Sequence, residues 1–371
     1  MSIFRVSGSA RLAGWAAALF AVGFSAECAA AESRSWVVGW FTLATYSQEG
    51  DCSAGINPSI YEVYRTVLQN MGKTPKEIET IFSDIGNGGP PATQELFINR
   101  GRIDGKPVNI YDNPMSAPDP KFREVDGKYA FGFNLDGKAD TGYEGPESHE
   151  RGVDNQYYRA LGCTQNHRAF PPDRPTHAIY IWNGARDSSP AWIITVKGEN
   201  LDQDGEVTVL FDRALKHATL DATGNVVADA TFRIDPSPRS HNELKGRIKD
   251  SILYIDDGDL HLLGDPFNYV KLQLANTHAR FKLLPGGKLE GILGGYMPWM
   301  NLYFSYSSHG YVAEVNESIN YHGVYHALRR LADAYPDPKT GQNTAISVAY
   351  RVEAVRAFTL PAEPIKSADA R

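Results

Sequence analysis

Cysteine is scarce: 371 residues hold only 3. A disulfide-dense miniature fold is therefore excluded, and a chain this long can bury a core without such staples. Basic charge is in deficit too, with 37 Lys and Arg against 44 Asp and Glu. That balance leaves no basic face for nucleic acid, and no nucleic-acid partner is expected. There is no internal repeat, no Gly-x-Ser-x-Gly elbow, no phosphate-cradling glycine loop and no Ser-x-x-Lys. No nucleotide cofactor is expected either. What the chain does have is 34 glycines and 22 prolines, a loop-rich composition that favours many short strands over long helices.

The first segment reads as an export signal. Arg5 and Arg11 flank or precede an apolar stretch, 12–26, and Ala29-Ala30-Ala31 fits the small-x-small cleavage rule. The stretch is shorter than the roughly 20 residues that cross a bilayer, so the expectation is a cleavable signal peptide over 1–31 and no transmembrane segment in the mature chain. Glu27 before Cys28 departs from a lipobox, which wants a small residue there. The expected location is periplasmic or secreted, with a mature chain of 340 residues at charge −8 that keeps two cysteines. In an oxidising compartment those two, Cys52 and Cys163, are expected to pair. Asn166 stands where a c-type haem would need a second cysteine before His167, and no haem is expected.

The expected fold class is mainly β, an antiparallel β-sandwich or jelly-roll-like core with two short N-terminal helices and one C-terminal amphipathic helix. An N-terminal α+β part over 32–176 opens with the aromatic and β-branched run 35–46. Helices follow after Asn57-Pro58 and at the capping box Thr74-Pro75-Lys76-Glu77. A long irregular region, 134–176, ends this part. Over 177–304, short apolar or alternating runs recur between turn signals such as Asp204-Gly205 and Pro285-Gly-Gly287, the pattern of a sandwich. These strands begin at 179–182. A helix over 321–335, with Val324, Leu328 and Leu331 on one side, and a β stretch at 345–352 extend this part to 360, before a polar tail over 361–371. One continuous domain is as good a reading as two.

Metal-ligand chemistry points to two places. Asp136, Asp140, Asp154 and Asn155 put hard oxygen donors in a flexible glycine-bearing stretch, which suits calcium; Asx-turn chemistry explains the same residues without an ion. His322 and His326, four apart on a helix, form an alternative metal pair, with Glu314, Glu317 and His309 close upstream and Arg329 opposing a cation. Trp182, Trp192 and Trp299 are candidate stacking platforms for sugars, against a plain core role. The function expected from these signs is a non-catalytic exported binding protein for a carbohydrate or other envelope component, ordered by calcium and the disulfide. The alternatives are a hydrolase or lyase acting on an extracellular polymer and a structural or assembly protein of the envelope.

Overall fold

Eight strands pair in the order in which they occur along the chain, and the last pairs with the first. They are β1 (Glu32–Leu43), β2 (Trp192–Gly198), β3 (Gly205–Arg213), β4 (His241–Lys249), β5 (Ile252–Ile255), β6 (Lys271–Leu284), β7 (Lys288–Pro298) and β8 (Asn343–Leu360). Every neighbouring pair is antiparallel, which makes a closed up-and-down barrel. This computed structural model describes residues 31–361 apart from 86–88, 90, 171 and 264–270. Residues 1–30 of the expected signal peptide and 362–371 of the polar tail lie outside the described residues.

The chain is mainly β, but the expected sandwich or jelly roll does not form. The β1–β8 ladder, running from Ser35 opposite Ala357 to Leu43 opposite Tyr350, closes the sheet on itself. Strands β6 and β8, with 14 and 18 residues, are long enough to curve round the wall. Inside, Phe41 stacks on Tyr350 at 4.7 Å and meets Trp192 edge-on at 5.2 Å. Outward positions carry Glu243, Lys245 and Arg247 on β4 and Lys282 and Arg351 on β6 and β8. Apolar inside and charged outside is the reverse of a membrane barrel's pattern. No helix among the described residues is long and apolar enough to cross a membrane.

The two ends of the barrel differ. One end has short hairpins, among them the β4–β5 turn at Asp250-Ser251, where both residues have positive φ (53° and 60°), the geometry of a tight two-residue hairpin. Every long connection leaves from the other end. Segment 44–191, between β1 and β2, carries α1 (Ile60–Asn70), α2 (Pro75–Ile85), α3 (Pro91–Ile98), α4 (Gln156–Leu161) and α5 (Thr176–Ser188). Segment 299–342, between β7 and β8, carries α6 (Trp299–Ser307), α7 (Gly310–Glu317) and α8 (Tyr321–Leu331). One continuous apolar core runs from the barrel interior into these helices, and residues from Ala31 onward cluster as one compact unit.

The helices also correct the reading of the sequence. The first helix is capped by Ser59 and Glu62, not by Asn57, and two N-terminal helices become five. The run 179–182, expected as a strand, lies in α5; four apolar residues suit either state, and only the surrounding turns decide. Helices α6 and α7 were not expected: each is only eight or nine residues long, and aromatic residues are spread round α6. Trp182, Trp192 and Trp299 are buried, so they serve the core and offer no platform.

Cys52 and Cys163 are disulfide-bonded, 111 residues apart, tying the start of the first insertion to the end of α4. Replacing both with serine is expected to cost up to about 4–5 kcal/mol, the chain-entropy limit for such a loop. Urea unfolding measures it, and an unchanged midpoint would show that the surrounding packing holds the loop alone.

Candidate functional site

The outer wall of β5 to β8 forms the floor of a groove of about 510 Å³. Ile252 and Tyr254 come from β5, Arg280 and Lys282 from β6, Glu290 and Ile292 from β7, and Arg351 from β8. Alternation places these side chains outward because their neighbours Leu253, Phe281, Leu289 and Val352 fill the core. The rim is the 145–150 loop of the first insertion together with Phe131 and Gly132. Glu150 pins this rim: Oε2 pairs with Arg280 at 2.7 Å and Oε1 accepts the Asn134 N–H at 2.9 Å. Glu147 pairs with Lys282 at 2.8 Å. Under the rim the Arg280 guanidinium lies 5.2 Å from the Phe133 ring centre. Gly294 admits that ring, since a Cβ there would stand 2.9 Å from it. The groove is thus lined by three cations, three carboxylates and two aromatic rings, Phe131 and Tyr254.

A wider depression of about 1160 Å³ lies among the hairpins at the bare end. Its walls are strand ends and hairpin turns, and two of its cations are already paired, Arg34 with Glu32 and Asp202 and Arg356 with Asp229.

Two buried polar clusters bind the helical insertions together. Glu314 is fully buried and receives the Tyr64 hydroxyl at 2.5 Å, the Tyr111 hydroxyl at 2.6 Å, Arg100 at 2.7 Å and the Tyr321 N–H at 2.9 Å. Burial and the adjacent carboxylate hold both tyrosines well above their ordinary pKa. One helical turn on, Glu317 Oε2 lies 3.1 Å from His177 Nδ1. The His177 ring stacks on His167 at 4.2 Å, and His167 Nε2 meets the Tyr306 hydroxyl at 3.1 Å, which meets that of Tyr157 at 2.7 Å. Among the described residues, His167 Nδ1 has no hydrogen-bond partner, and burial holds this imidazole well below its usual pKa. The Tyr321 hydroxyl lies against Glu317 without a hydrogen bond of good geometry. Sequence reasoning missed both clusters as sites, although Glu314 and Glu317 share a helix face by spacing.

Of the residues expected to hold calcium, Asp136 and Asp154 lie together, and Asn155 is committed elsewhere. Asp154 is buried, and one of its oxygens accepts the N–H groups of Leu135 and Asp136 at 2.8 and 3.1 Å. Asn155 is taken up by the fold: Oδ1 caps α4 at Tyr158, and the amide donates to Phe131 and Ala44. Asp140 is exposed, and Asp136 pairs with Lys138. Asp333 adds a further carboxylate beside Asp136 and Asp154. The histidine pair is closer than a solvated face: His322 is buried, His326 is half-buried, and their Nε2 atoms stand 3.1 Å apart. Burial lowers His322 to about 4. Glu314 and Glu317 face the clusters above, and His309 bonds back to Ser305, so none of the three joins this pair. Among the described residues, no group of three or more His, Cys, Asp or Glu converges as a metal site.

Compared with protein families, curated proteins and solved structures, the chain matches none.

Two outcomes follow from this electrostatics. Glu314→Gln leaves the Arg100 charge buried without its counter-ion, and a loss of about 3–5 kcal/mol is expected. Chemical unfolding checks it, and a loss under about 1 kcal/mol would show that the tyrosines and water neutralise the site instead. Asp154 titrates in the fold at about 6, raised chiefly by burial, against about 4 when unfolded. The folded state therefore holds its proton more tightly, and this group's stabilisation is present below pH 4 and lost as pH rises through 6. Asp154→Asn is expected to gain about 2 kcal/mol on wild type between pH 4 and pH 7. Parallel stability curves for the two proteins would refute that.

Proposed function

We propose that this protein is an exported, non-catalytic binding protein that takes a carbohydrate in the groove on the β5–β8 wall. The carrying observation is the composition of that groove: three cations and three carboxylates around Tyr254, on a floor of paired strands. Guanidinium and carboxylate groups each meet two partners in one plane, which suits neighbouring hydroxyls on a sugar ring, and an aromatic face suits the apolar side of that ring. The volume is in the range of ligand sites. Calcium belongs to this proposal as an ordering ion at Asp136 and Asp154; at 100 times its dissociation constant it would add about 2.7 kcal/mol to stability, visible as a rise in Tm over EDTA.

A second reading, a hydrolase or lyase acting on a polymer, draws on the His177–Glu317 pair and the unpartnered His167 Nδ1. A glycan array of envelope and extracellular oligosaccharides, followed by calorimetry and product analysis, separates the two. Retention of an intact oligosaccharide, weakened at least about tenfold by Tyr254→Ala and by Arg280→Ala, is expected. Cleavage of the bound sugar would replace the binding reading with the enzymatic one, and retention that both variants leave unchanged would remove the groove from it.

A further inference from the structure

The paired histidines of α8 face a strap of the first insertion. Pro114–Ser116 forms a 3-10 turn that packs on α8, and its carbonyls point at the imidazoles. The Ala117 oxygen lies 3.1 Å from His322 Nε2, and His326 Nε2 lies 3.1 Å from the same nitrogen. The carbonyls of Pro114 and Ala117 both face the His326 ring. Without an ion, the two adjacent Nε2 atoms need one ring to carry its proton there, and the His322 tautomer that does so shares that N–H between the Ala117 oxygen and the His326 nitrogen. An ion would take both nitrogen lone pairs at once.

The spacing fits that alternative. Two ligands held at about 2.05 Å from one ion stand about 2.9 Å apart at a right angle and about 3.3 Å apart at the tetrahedral angle. The observed 3.1 Å lies between these limits. The two rings are near perpendicular, at 87°, so their nitrogens converge without the rings colliding. The nearby cations are engaged elsewhere: Arg100 pairs with Glu314, Arg330 pairs with Asp119 and Glu124, and Arg329 reaches Gln342 and the Met115 sulfur. Asp119 adds negative charge close to His326.

We propose that His322 and His326, with the Ala117 carbonyl, form a binding site for one divalent late first-row transition ion, of the class Zn²⁺, Ni²⁺ or Cu²⁺. Imidazole nitrogen selects that class over calcium and magnesium, which prefer all-oxygen sites. The ion would clamp the 114–117 strap to α8, independently of what the groove binds.

The test uses untagged, EDTA-treated protein, titrated calorimetrically with ZnCl₂, NiCl₂ and CuCl₂. One ion per chain is expected, with a rise in Tm that MgCl₂ and CaCl₂ do not give. His326→Gln, chosen because this side chain is half-exposed, is expected to keep the wild-type circular dichroism spectrum and to bind about 100-fold or more weakly, beyond the loss typical of an outer-shell partner. Cu²⁺ electron paramagnetic resonance supplies a readout that needs no variant, with splitting from two equatorial nitrogens expected. Binding undiminished in His326→Gln, coupling to fewer than two imidazole nitrogens, or no saturation by about 1 mM ion would each overturn the site.

Discussion

The ladder between β1 and β8 is the constraint on which the rest depends. Seven of the eight strand pairs join neighbours in the chain, but this one joins its two ends, with Ser35 opposite Ala357. Without it β1 and β8 would both present open edges, the feature that invites pairing between molecules. Closing it brings Phe41, Trp192 and Tyr350 into one aromatic cluster, so the interior is filled only when the ring is complete. Contacts of such sequence separation form at a high loop-entropy cost. The hairpins β4–β5 and β6–β7 pair locally and do not carry that cost.

Up-and-down order also decides where the insertions go. Strand β1 and strand β7 both run toward the same end, so segments 44–191 and 299–342 emerge side by side. What joins them is charge. Glu314 and Glu317 both sit on α7 in the second insertion, while Tyr64, Arg100, Tyr111 and His177 all come from the first. Buried ion pairs add little net stability over apolar packing, yet they are severe about register. Two carboxylates one helical turn apart, each with its own cation or imidazole, leave one way to seat α7 against the first insertion.

Much of this was legible from local pattern, and the missing part is non-local. Alternation located β3, β6 and β7, a Thr74–Glu77 capping box located α2, and two cysteines in a chain read as exported located the disulfide. Alternation could not say that β1 meets β8, because a sandwich and a barrel share the same inward and outward positions and differ only in which edges touch. The 179–182 run failed for a different reason, being too short for its period to be measured. Outward Arg280, Lys282 and Glu290 were visible as polar positions, but the groove they form needs Glu147 and Glu150. The 114–117 strap that covers His322 lies far from α8 in the chain, so no local pattern shows it.

The groove's rim is graded in strength, and this shapes what can enter. Lys282 and Glu147 are 49% and 60% exposed, a pair of the kind worth at most about 1 kcal/mol, which an arriving polar ligand can displace. Arg280 and Glu150 are each 28% exposed, and Glu150 is also held by the Asn134 N–H; opening this pair strips a backbone donor of its acceptor as well as separating charges. A neutral ligand can use the outer lone pairs of both carboxylates with the rim in place. An anionic one would compete with Glu150 for Arg280 and meet Glu147 and Glu290 on entry. In the binding role proposed above, this grading would favour an uncharged sugar over a uronate, with the loosened edge of the groove at Glu147, away from the Phe133–Arg280 contact.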